Sequence, residues 1–539
     1  MAVSPRKELL EIQKQLFRRN KRIIDSSILY KEPGFDSYER AYRKSVSDYS
    51  SLTTIDKMVK AVLKSDIIYV GDYHTCNQSQ RSFLRIIKET VKVTECFSVG
   101  LELIHAKHQA TLDKFMSSKI SEKTFLNRIQ LQEHWVYDLW DNFKPLFDFC
   151  RYHRIKIYAI DAAPPGSTVR ERDKAFAKII ADVWKANPDK KMFVFIGDLH
   201  ISPQHLPRDV RSRIHNGSSK GDFRDLILYQ SSEKIYWKLA EKGLFEKTEV
   251  VKLDDKSYCR MHTPPIVFQR SYLNWLEHDE GEIDFADVRH EFVEIVDRIC
   301  KFMRIDVDEV HLDKLEIFTS GDLGFLKRMK DLGFTPRDIE QVKKQILSSE
   351  SYYIAKANIV YLANLSINHA AEEASHFVKS ICSGPEKPRQ IDDAFYANIL
   401  HEAIGFFGSK IINSKRKSFH LRDFKSLINY LEGVGIPPFR RLEYDTALFV
   451  CDYKRYEQRG KFIVGLDFLL GRMDLFIAVT HSLGYILGER LFYGLLANHI
   501  SKKRIKELFY ERWNKENEAK KVYVELIKRL KKTKVPKRM

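Results

Sequence analysis

The sequence predicts an α/β domain with a mainly parallel sheet flanked by helices, followed by an all-helical domain, and three observations carry that prediction. Short apolar runs of strand length recur from about residue 66 to residue 265, with helical segments between them. Each run is continuous rather than alternating, the pattern of strands covered on both faces. From about Gly281 onward the strand pattern gives way to helical periodicity. At 539 residues the chain also exceeds one ordinary core, which calls for two or three units.

Residues 1–45 read as a basic amphipathic helical appendage that breaks at Pro33 and Gly34. The α/β domain is expected over 46–265. Its strands are read at 67–70, 97–103, 155–160, 193–196 and 226–229, with a further β-like pair at 250–253 and 258–261. Helices are expected at 81–92, 143–153 and 172–185. Between the second and third strands, about 105–140 is polar, helical and longer than a crossover requires, so it is read as a small helical insertion over the sheet's end. A linker at 266–284 leads to a helical domain at 285–500 and a basic helical tail at 501–539. In the helical domain, Thr335, Pro336 and Asp338 combine an N-cap, a proline at the first helical position and an acid in the first turn. No fixed-period repeat is evident.

Composition narrows the function classes. With 44% hydrophobic and 12% aromatic residues, the chain has the material for real cores. The formal charge is +18, and ten of that excess fall in the tail, where fifteen Lys or Arg stand against five Glu. This tail is read as a solvated helix with a frayed basic end, or as a contact for an anionic surface; no specific nucleic-acid motif accompanies it. Seven cysteines are scattered without a CxxC pair, which speaks against a zinc ribbon and a disulfide framework and for reduced thiols. The N-terminal stretch has no uninterrupted apolar run for a secretory signal. The apolar stretch 462–497 is interrupted by Asp467, Arg472, Asp474, His481, Glu489 and Arg490, so buried helices are expected there, with Gly484 and Gly488 allowing close contact. The expectation is a cytoplasmic protein, with attachment at a membrane surface the alternative.

Parallel sheets bind ligands outside the carboxyl ends of their strands, where loops and helix N-termini converge. Here the first strand ends in Gly71-Asp72-Tyr73-His74 and the fourth in Gly197-Asp198-Leu199-His200; the second ends in Glu102 and the third in Asp161. In each Gly-Asp-x-His unit the glycine permits a sharp turn, and the histidine three residues later projects toward the crevice. Two imidazoles and a carboxylate are a donor set for a divalent transition metal, so His74, Glu102 and His200 are the candidate metal ligands, with Asp72, Asp161 and Asp198 in support. The competing reading makes Asp72 and Asp198 helix caps and the histidines hydrogen-bonded structural groups. His105 and His108 are read as solvated, Trp135, Tyr137 and Trp140 as core or lid packing, and Cys76 as a structural thiol. In the helical half, His369, Glu372, Glu373 and His376 form a single ExxH spacing, whereas carboxylate-bridged metal bundles need two. A Walker A loop, GxGxxG after a strand, GxSxG and HExxH are all missing from the sequence.

Several of these segments, in order, resemble the ChaN-like family of haem-binding proteins, grouped with the Tiki and erythromycin-esterase-like proteins. The likeness is carried by residues 67–74 with Gln80, by Val99-Gly100-Leu101-Glu102, by Trp135-Val136-Tyr137 with Pro145, by Ile157-Tyr158-Ala159-Ile160, by residues 172–177, and by residues 193–200 with Pro207. It covers about 66–228. The resemblance implies an α/β sheet with a small helical insertion and a site for haem, taken by His or Tyr ligation. Two departures stand out: family members that take up haem are typically exported lipoproteins, and Asp72 occupies a position that is usually glutamate.

The sequence therefore leads to a ChaN-like protein that binds haem or a divalent transition metal through His74, Glu102 and His200, with Asp72, Asp161 and Asp198 around them. One alternative is a metal-dependent hydrolase using the same residues. Another is a scaffold with a vestigial site. The helical domain is the expected place for any homo-oligomer contact.

Overall fold

The computed structural model describes residues 4–27, 32–131, 135, 139–215, 223–279, 285–306, 312–319, 324–347, 351–362, 366–462 and 465–536. The chain divides into two compact units, Gln15–Glu282 and a second formed by Met1–Lys14 with Ile283–Met539.

The first unit is built on eight strands: β1 (Ser51–Thr53), β2 (Ile67–Asp72), β3 (Phe97–His105), β4 (Lys156–Asp161), β5 (Lys191–Gly197), β6 (Asp225–Gln230), β7 (Val250–Asp254) and β8 (Ser257–Arg260). Their order is β1-β7-β8-β6-β2-β5-β3-β4. All pairs from β8 through β4 are parallel, while β7 runs antiparallel to both β8 and β1. The sheet expected from the sequence is present, and the β-like pair at 250–261 is the β7–β8 hairpin. Strand β1 was not anticipated: Ser-Leu-Thr is three residues long and exposed along most of its length, so it has no apolar pattern and exists by pairing with β7.

The continuous apolar runs have a direct cause. Ile68, Val70, Val99 and Leu101 enter one core, and Ile67, Tyr69, Val194 and Ile196 enter the other, on the opposite face. Each buried branched or aromatic side chain stabilises the fold by about 1.5–3 kcal/mol, so these central strands tolerate no polar face. The helices covering the sheet include α1 (Phe35–Ser45), α2 (Asn77–Val91), α3 (Trp140–Tyr152), α4 (Val169–Ala186) and α5 (Leu206–His215). A capping box at Thr168 and Glu171 starts α4. The expected insertion holds helices Gln109–Met116 and Glu122–Ile129, joined by Phe115 stacked on Phe125 at 4.2 Å. Tyr137 lies outside the described residues.

The second unit is dominated by helices, among them α6 (Ile367–Ser383), α7 (Ile391–Ile412) and α8 (Met473–Leu496), with α7 packed on both of the others. Close approach is set by glycine: a Cβ on Gly484 would meet the Cβ of Glu402 and lie 2.8 Å from the Ile399 carbonyl oxygen. The expected cap is present, with Thr335 and Asp338 exchanging side-chain and backbone hydrogen bonds. A small sheet adds to the helical expectation: β9 (Glu316–Thr319), β10 (Tyr352–Ile354) and β11 (Ile359–Leu362). Its strands are three or four residues long, too short to register against the helical pattern around them. Basic residues of the tail are engaged within this unit: Arg504 binds Glu511 and Glu525, and Lys502 pairs with Glu8. Among the described residues no helix is long and apolar enough to cross a membrane.

Candidate ligand site at the strand ends

Sheet order explains why residues far apart in sequence meet. Strand β5 lies between β2 and β3, with Asp72 in register with Gly197. The turn after β2 carries His74, β3 carries Glu102, and the turn after β5 carries His200, so all three flank the end of β5. Gly197 is the centre of the arrangement: a Cβ placed on it would lie 3.2 Å from His74 Nε2, 3.4 Å from Glu102 Oε2 and 3.4 Å from His200 Cδ2. A side chain here would occupy the space those groups surround.

Each member is held by a partner. His74 Nδ1 lies 2.9 Å from Asp72 Oδ2, and its Nε2 lies 3.8 Å from Glu102 Oε2. Asp72 also accepts from Gln80 Nε2 at 2.6 Å. Glu102 accepts from the Gly197 N–H at 2.7 Å and from Arg172 Nη2 at 2.7 Å. His200 Nδ1 lies 2.7 Å from Asp173 Oδ1, and Tyr38 donates to the other Asp173 oxygen at 2.9 Å. Carboxylates behind both imidazoles fix ring orientation and tautomer. His205 stacks flat on Tyr38, with centroids 3.6 Å apart.

The charges are tuned accordingly. Burial pushes the Glu102 carboxyl up, but the Arg172 guanidinium, His74, His200 and the Gly197 N–H outweigh it and hold the group at about 2. Burial works against charge on His74, yet the bond to Asp72 and the Asp72 and Glu102 charges raise it above the usual histidine range. Asp72 and Asp161 are both raised by burial. The crevice thus pairs an ionised glutamate with an imidazole biased toward its charged form.

The remaining sequence candidates take different places. Asp161 ends β4 and lies 3.6 Å from Arg172, joined to Glu102 through that guanidinium. Asp198 is directed elsewhere: its carboxylate packs against Gly71 and accepts from Tyr42, and burial pushes it up to about 7. His105 caps the following turn by accepting from the Lys107 N–H at 3.2 Å. Cys76 is buried and its thiol is pushed up to about 12. Trp135 stands edge-on to His74, centroids 4.8 Å apart, and donates to the Leu103 carbonyl.

Sequence reading missed three contributors. Arg172 and Asp173 were noted for resemblance alone, because nothing in a helical Arg-Asp pair says which strand ends it will face. Tyr38 carried no signal at all, since its role depends on where α1 docks. Among the described residues no group of three or more His, Cys, Asp or Glu is arranged to hold a metal ion. The reasons are visible: Glu102 is committed to Arg172 and Gly197, and His200 turns a ring carbon toward Gly197.

A solved structure described as cofacial heme binding to ChaN of Campylobacter jejuni is similar at 19% identity over 34% of this chain and 89% of that one, with a TM-score of 0.25. None of the curated proteins matches. Residues 58–171 match the family described as haem-binding uptake, Tiki superfamily, ChaN; over that segment, which carries His74, Glu102 and Asp161, the chain is ChaN-like.

Proposed function

We propose that the α/β unit binds haem in the crevice at the ends of β2, β3 and β5, with His74 presented to the iron and Glu102 and His200 completing the site. The observation that carries the reading is the convergence of His74, Glu102 and His200 around Gly197. Imidazole is a ligand that haem iron takes, and His74 would hold it better than His200, its side chain being 25% exposed against 7%. Asp72 behind His74 raises the basicity of the ring, and Trp135 beside it offers an aromatic surface to a flat ligand. Bound there, haem would supply a redox-active iron; the chain's own residues orient the imidazole and keep Glu102 ionised.

A divalent metal is less well served by the same residues, because no three donors converge as metal ligands among the described residues. The metal-dependent hydrolase reading weakens with it. The scaffold reading rests on the basic tail, in which Arg504 and Arg529 are engaged by glutamates.

Haemin titrated into the full chain should develop a shifted Soret band that saturates. His74→Ala should abolish it, and His200→Ala should weaken it. No spectral change with the wild-type chain would overturn the haem reading, whereas stoichiometric Mn²⁺, Co²⁺ or Zn²⁺ in elemental analysis would favour the hydrolase.

A further inference from the structure

A half-open cleft of about 1070 Å³ lies between α6, α7, α8 and the β10–β11 hairpin of the helical unit, at the upper end of the size of small-molecule sites. Its walls are unusual for the interior of a helical unit. They carry four carboxylates, each held by a base: Glu372 by Arg416 at 2.8 Å, Glu373 by His376 at 3.4 Å, Glu386 by His401 at 3.1 Å and Glu402 by His481 at 2.9 Å. Taking each such ion out of water is costly, and pairing recovers only part of that cost. Apolar side chains filling the same space would stabilise the unit more, so the hollow and its polar lining point to a ligand.

We infer that this cavity is a second binding site, separate from the strand-end crevice, and that it takes a neutral, polyhydroxylated small molecule of the saccharide class. The class follows by elimination. A metal ion is disfavoured because no three donors converge as its ligands among the described residues. A strongly charged ligand finds no large net field: against the four carboxylates stand Lys314, Lys356 and Lys379 in the walls and Arg416 on Glu372, together with His376, which neighbouring Glu373, Glu402 and Glu372 hold protonated, up to about 9, against the opposing effect of burial. What remains is a wall rich in hydrogen-bond acceptors, set beside the rings of Tyr352, Tyr353 and Tyr485. Sugar hydroxyls donate to carboxylates and imidazole nitrogens, and the C–H faces of a sugar ring pack on aromatic rings.

The test uses the full chain and saturation-transfer NMR with calorimetry. Glucose, N-acetylglucosamine, maltose and sucrose are the probes, and succinate, spermidine and Zn²⁺ the comparators. At least one saccharide should bind saturably at millimolar concentration or below. Glu402→Gln and, independently, His401→Gln should each weaken it about tenfold or more, with haemin titration unchanged. The inference is overturned if no saccharide binds, if a comparator binds in place of the saccharides, or if both variants bind as well as wild type.

Discussion

Two regions gather histidines and carboxylates, and they do so by opposite means. In the crevice, three side chains from three strand ends surround one glycine, because a parallel sheet brings the carboxyl ends of its strands to a single edge. In the helical cleft the groups are spread along α6, α7, α8 and the segment between α6 and α7, each acid with its own base and none central. One site is a convergence, the other a lining. Removing one member should therefore cost more in the crevice. Glu102→Ala deletes the shared partner of Arg172, His74 and the Gly197 N–H, and should destabilise the α/β unit by about 3–5 kcal/mol; hydrogen exchange along β3 reads it. Glu402→Ala should cost less along α7, since His481 is about half exposed and can be hydrated. Equal losses would erase the distinction.

That difference also explains how much was legible in sequence. Strand ends are readable, because a strand's terminus is marked by the residue that stops it: Gly71, Gly197 and Asp161 stood out, and Glu102 was taken as a strand end although β3 runs on to His105. The parallel sheet followed from the continuous runs. What could not be read was that β5 inserts between β2 and β3, the fact that turns separate ligand candidates into neighbours. Nor could the sequence show that Arg172 would occupy Glu102, or that Tyr38 would reach Asp173, since both depend on helix docking. In the helical half the ExxH spacing at Glu373 and His376 was noticed, but its partners Glu402 and His481 come from helices that periodicity cannot pair.

The second contrast concerns pH. Glu386 and Glu402 are held at about 2, from an ordinary 4.5, by neighbouring imidazoles and, for Glu386, by Lys379 and Arg389, in each case against burial. A depressed acid contributes stability that is complete above pH 4.5 and lost as pH falls toward 2. His376 has the opposite sign: raised to about 9, it contributes stability that is complete below pH 6.5 and lost as pH climbs through 9. The helical unit should thus lose about 2–3 kcal/mol on alkaline titration, read as a fall in the urea midpoint of its unfolding. His376→Gln should flatten that limb, and a limb that persists in the variant would reject the assignment.

The finest comparison is between two glycines. Gly484 holds a contact: an alanine Cβ there meets Glu402 and lies 2.8 Å from the Ile399 backbone oxygen, and backbone on a packed helix cannot withdraw. Gly484→Ala should therefore cost about 1–3 kcal/mol through overpacking. Gly197 holds a close convergence of side chains: the three nearest atoms its alanine Cβ would meet all belong to side chains, at 3.2 to 3.4 Å, which can yield by a few tenths of an ångström. Gly197→Ala should leave stability within about 1 kcal/mol of wild type while displacing His74 from the space it shares with Glu102. Haemin affinity should fall about tenfold, about 1.4 kcal/mol of binding. If Gly197→Ala instead unfolds the α/β unit and spares haemin binding in what remains, the glycine serves packing and the crevice is not the place where haem is held.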